Sequence, residues 1–127
     1  MERSMDGARR FLSSAKQANK MFRRLLCDAE IGDRAIGYHA QQVVKKSLKA
    51  VLVLNGVEIP KIHDLCGLLD LLANHRLPEP PHVEEIKRLN VFGALLREDL
   101  LASVKLDRDG TRQMVDHVSQ WAREQVR

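Results

Sequence analysis

His39, Gln42, Lys46 and Lys49 follow one another at i, i+3, i+7 and i+10. On an α-helix this spacing puts all four on one side. An amide, a proton donor and two ammonium groups so placed can hold a phosphate or a nucleotide. The competing reading is that His39 and Gln42 hydrogen-bond inside a bundle while the lysines reach out to water. His63 and Asp64 stand together ahead of an apolar run. Asp64 suits the positive end of a helix dipole, whereas His63 can cap the helix, contact Arg97 or line a groove. Arg97 is flanked by Glu98 and Asp99, so surface ion pairing is its ordinary reading.

Other chemistries lack their residues. No two histidines lie three or four apart, and Cys27 and Cys66 form no CxxC pair, so neither a metal nor a redox motif is supported. Both cysteines are expected as reduced, buried thiols. A glycine-rich phosphate loop is missing, as is any Ser-His-Asp or Cys-His arrangement with local context. No cofactor is implied. Single-stranded RNA needs exposed aromatics to stack on, and Phe11, Phe22, Phe92 and Trp121 fall on apolar stripes. Tyr38 is the aromatic expected at the surface.

The elements that must carry these residues are all helical. Ala8, Phe11, Leu12, Ala15, Ala18, Phe22, Leu25, Leu26 and Ala29 recur at helical spacing. Ser4 or Asp6 can cap that helix, and Gly32 breaks it. A second stripe runs from Ile36 to Leu52 and becomes apolar nearly all round over Lys49–Leu54. Such a stretch is buried on several sides, within the bundle or at a subunit contact. Asn55-Gly56 ends the helix and Pro60 blocks its continuation. A short helix over Leu65–Leu72 follows, then a loop over His75–Pro81 with three prolines. Pro80 or Pro81 suits the first turn of a fourth helix carrying Val83 to Leu100. Asp107–Gly110 reads as a turn before a last helix from Met114 to Ala122. The expected fold is all-α: an up-and-down helical bundle of four longer helices plus one short helix, in a single domain over residues 1–127.

The 127 residues carry a formal charge of +4, with 44% hydrophobic and 30% charged residues. That is ordinary for a folded domain and argues against disorder. The basic excess is local: residues 1–50 have a net charge of +6 and residues 51–127 a net charge of −2. A patch there attracts phosphate or an acidic protein, unless the charges simply form solvated helix faces. The first residues contain no apolar run of signal-peptide type, and no stretch is long enough for a membrane span, so a cytoplasmic protein is expected.

The stretch HAQQVVKKSLKAVLVLNGVEIPKIHDL, from His39 to Leu65, resembles the core signature of the HEPN-domain family. It holds Ala40-Gln41-Gln42, the lysines Lys46 and Lys49, Gly56 in the turn, and His63-Asp64. Leu89 to Arg97 resembles the family's leucine-aromatic-arginine segment. The resemblance spans roughly residues 8–122. It implies a helical bundle, commonly a homodimer, often paired with a minimal nucleotidyltransferase in a two-component or toxin–antitoxin system. Some members are metal-independent RNases with an arginine–histidine motif in a groove across the dimer. This chain departs from the pattern. Lys45-Lys46 stands where the family often has Glu-Lys, and no histidine closely follows Arg97. Pairs of comparable spacing occur elsewhere: Arg34/His39, Arg112/His117 and Arg76/His82. Catalysis would need one such pair to supply a base and a cation to the same phosphate. Arg34/His39 is the best placed because His39 lies in the resembling segment, although residues five apart share a helix face poorly.

The reading is therefore a non-catalytic binding module, partner to a nucleotidyltransferase, with a nucleotide as candidate ligand. The candidate binding residues are His39, Gln42, Lys46, Lys49, His63 and Arg97. The alternatives are an RNase toxin using Arg34 and His39, with RNA as its ligand, or a dimeric scaffold without a ligand.

Overall fold

The computed structural model describes residues 4–61, 64–93 and 105–127. Within them lie five α-helices and no strand: α1 (Met5–Leu26), α2 (Asp33–Leu54), α3 (Leu65–Asn74), α4 (Val83–Leu89) and α5 (Arg108–Gln125), with a 3-10 turn over Asn90–Gly93 after α4. The all-helical bundle expected from the periodicity is the observed fold. His63 and Arg97 lie outside the described residues, as does the stretch 94–104; the fourth helix, expected to run to Leu100, already leaves the α-helical path after Leu89, where the chain tightens into the 3-10 turn.

Capping explains where the helices start. Ser4 Oγ accepts from the Gly7 amide, Asp64 Oδ1 from Gly67 and Asp107 Oδ1 from Gly110. Each supplies an acceptor to a first-turn N–H that lacks a helical partner. Asp107–Gly110 is thus the beginning of α5 and not a separate turn. The Asp and Gly that suggest a turn are equally suited to a capped first turn. At α3 the capping role belongs to Asp64. The prolines before α4 also need correcting: Pro80 and Pro81 precede the helix, and its N-cap is His82 with φ of 60°. That left-handed residue swings the chain between the prolines and Val83, so neither proline enters the first turn. At the other end of α2, Gly56 takes φ of 74°, the conformation that lets the chain turn out of the helix.

Central to the bundle is α2, which packs against α1, α3, α4 and α5. Its residues Ile36, Val43, Val44, Leu48, Val51 and Leu52 are buried with Phe22, Leu65, Leu68, Leu72, Ile86 and Met114. Each large side chain contributes about 1.5–3 kcal/mol by leaving water. A smaller cluster joins Ala8, Ala50, Leu54 and Val126. It answers the question posed by the apolar end of α2: that stretch is covered by α1 and by the end of the same chain. The start of α1 therefore lies against the end of α2, and the two helices are antiparallel. Val126 lies at the end of α2 and Arg108 at its start, so α5 runs parallel to α2. Of the thiols, Cys27 is exposed at the end of α1 and Cys66 is half-buried, and both are free, so burial was the wrong expectation.

Candidate functional site

His39, Gln42, Lys46 and Lys49 all sit half-buried on one flank of α2, beside the buried stripe that holds the helix in the core. Their environments differ. The His39 ring meets Tyr38 edge to face at 5.4 Å. Gln42 Nε2 donates to Gln41 Oε1 at 2.7 Å, so its amide is partly spent within the protein. The ammonium of Lys49 lies 5.9 Å from the Phe11 ring centre, within reach of a cation–π contact. Burial, and then the nearby charges of Lys45 and Lys46, push Lys49 below its ordinary lysine pKa. Among the described residues no carboxylate pairs with Lys45, Lys46 or Lys49. The stripe is thus a three-lysine cluster that takes in Lys45 as well, although Lys45 was not among the expected binding residues. Its signal was present in the sequence as the lysine replacing the family's glutamate, four residues before Lys49.

Arg34 is exposed in the first turn of α2. Five residues along a helix turn the direction by about 140°, so Arg34 and His39 leave α2 on different sides. The other arginine–histidine pairs are divided in another way. Arg112 stands near Asp109 at 4.0 Å, and Arg76 lies in the loop before α4. Instead the histidines of these two pairs meet each other. His82 Nε2 and His117 Nδ1 are 2.7 Å apart, so one ring donates and the other accepts. They stand beside a cleft of about 550 Å³ between α4 and α5, lined by Glu85, Arg88, Phe92, Lys105 and Thr111 among others. Sequence reasoning had no access to this pair, since 35 residues separate its members.

What places that cleft is a close approach between α2 and the 3-10 turn. A Cβ on Gly37 would come within 2.5 Å of the Phe92 ring, and one on Gly93 would collide with the Gln41 amide. The side opposite α4 is fixed by Asp33. Its Oδ2 accepts from the Leu106 amide at 3.0 Å and its Oδ1 from Arg108 Nε at 2.8 Å. The second Arg108 nitrogen donates to the Ile31 carbonyl at 2.5 Å. The hydrogen bond from Leu106, helped by Arg108 and against the effect of burial, holds the Asp33 carboxyl below its usual range.

No group of three or more His, Cys, Asp or Glu among the described residues is placed to hold a metal. No helix among the described residues is long and apolar enough to cross a membrane. A family model described as HEPN domain matches residues 1–124. No curated protein and no solved structure matches the chain.

Proposed function

We propose that this chain, which belongs to the HEPN-domain family, acts as a non-catalytic binding module whose contact surface is the lysine stripe of α2. The observation that carries the reading is the grouping of Lys45, Lys46 and Lys49 without a pairing carboxylate among the described residues. Like charges brought together disfavour folding, and an anionic partner offsets that cost on binding. The partner that family membership suggests is a minimal nucleotidyltransferase in a two-component or toxin–antitoxin system, presenting an acidic surface or a bound nucleotide. His39 and Gln42 extend the stripe toward the start of α2. His63 and Arg97 complete the proposed contact set, and homodimerisation belongs to the same reading. Arg34 and His39 supply no convergent base and cation, which favours binding over RNA cleavage.

The test is co-purification of the tagged full chain from its native source, comparing wild type with Lys46→Gln/Lys49→Gln. A nucleotidyltransferase should accompany the wild type, dissociate as salt is raised, and be lost from the double variant. Equal recovery with both chains would place the contact elsewhere.

A further inference from the structure

We propose that the groove between α1 and α5 is a second anion site, shaped for a small phosphate-bearing molecule. It lies on the other side of α1 from the lysine stripe. Ser47, in its wall, is turned about 100° around α2 from Lys46. The groove measures about 690 Å³. Lys16, Lys20 and Arg23 line it from α1 and Arg123 from α5, and no carboxylate belongs to its described lining. Arg23 is paired with Asp116. Lys16 and Lys20 have no such partner among the described residues, and Arg123 is held by the neutral side chain of Gln120 at 2.7 Å. Three cationic groups thus face one groove without a counter-charge.

The second observation is independent of charge. Buried polar atoms in folded proteins nearly always have a hydrogen-bond partner. Among the described residues, two such atoms have none: Asn19 Oδ1 and Ser119 Oγ. Both residues line this same groove. Ser119 is only 9% exposed. Its hydroxyl can donate to a phosphoryl oxygen, and a half-turn of the Asn19 amide presents NH2 in place of oxygen. Ser47 is already engaged through its bond to the Val43 carbonyl at 2.8 Å, so it shapes the wall rather than donating. Cations at the rim and hydroxyl and amide groups within match a phosphoryl group, whose charge and acceptor oxygens need both.

Calorimetric titration of the full chain with inorganic pyrophosphate at low salt tests the site. Wild type should bind saturably. Lys16→Gln/Lys20→Gln and Ser119→Ala should each weaken binding by about tenfold or more, as expected for loss of hydrogen bonds to a charged group. Thermal melts of the same samples check that each variant is folded. In the Lys46→Gln/Lys49→Gln background the Ser119-dependent binding should persist, which separates this site from the proposed contact stripe. Failure to saturate, indifference to Ser119→Ala, or loss of the Ser119-dependent binding in Lys46→Gln/Lys49→Gln would each overturn the proposal.

Discussion

A single carboxylate, that of Asp33, accepts from the backbone of Leu106 and the guanidinium of Arg108, while Arg108 also reaches the Ile31 carbonyl. These bonds fasten the start of α5 to the start of α2. Because the folded carboxyl is held below its ordinary value, the unfolded chain takes up a proton first as pH falls. The stabilisation is therefore complete above the unfolded pKa of about 3.9 and disappears as pH drops through the lower folded value. Asp33→Asn should cost about 1–2 kcal/mol at neutral pH, a modest figure because both partners are about one-third exposed. Denaturant melts at several pH values should give the variant a flatter acid limb than wild type. An unchanged acid limb would remove Asp33 from this role. At this scale the sequence was only partly informative. It marks Arg34 because of its spacing to His39, but nothing local shows that the preceding Asp33 meets a residue 75 positions later. Pairings across the fold, including His82 with His117, become visible only when the helices are placed.

Helices were the most legible level, because apolar spacing and caps are local. The apolar run from Ala8 and the Ser4 cap anticipate α1, and Asn55-Gly56 correctly ends α2, but α1 stops at Leu26, short of Ala29, and Gly32 is the N-cap of α2 rather than the residue that breaks α1. Errors arose where one residue type serves two conformations, as at Asp107–Gly110, or where a left-handed residue such as His82 intervenes. Close packing between elements was not legible at all. Gly37 reads as a weak residue for the interior of a helix, yet its missing side chain is what admits Phe92. Alanine there would gain about 1 kcal/mol in helix propensity. It would also push a methyl group to 2.5 Å from the aromatic ring, forcing apart α2 and the turn after α4. Overpacking of this kind costs about 1–3 kcal/mol, which equals or exceeds the propensity gain. Gly37→Ala should therefore lower the melting temperature. A variant that melts higher than wild type would show that Phe92 moves aside freely.

At the scale of the molecule, α5 is held at two distant places. Its start is tied to α2 through Asp33 and Arg108, and Val126, beyond its last turn, is buried with Ala8, Ala50 and Leu54. These places are separated by about 27 Å along the helix axis and share no side chain. The charge distribution follows the same layout. Among the described basic residues of the first half, those of α1 and Arg34 are exposed and Lys45, Lys46 and Lys49 are half-buried on a flank of α2, while the apolar end of α2 is closed by Val126 and α1. The positive charge is thus available to anions on both sides of α1 without disturbing the core. Val126→Ala removes two buried methyl groups and should cost about 1–2 kcal/mol. Because the two anchors are far apart, Asp33→Asn combined with Val126→Ala should destabilise by the sum of the single effects, to within about 0.5 kcal/mol. The double variant should still unfold in one transition, since α2 lies in contact with every other described helix and passes the loss to the whole bundle. Urea melts followed by both circular dichroism and Trp121 fluorescence give the check. Coincident curves with additive losses fit a bundle that folds as one unit around α2. Separate curves would mean that α5 detaches before the rest.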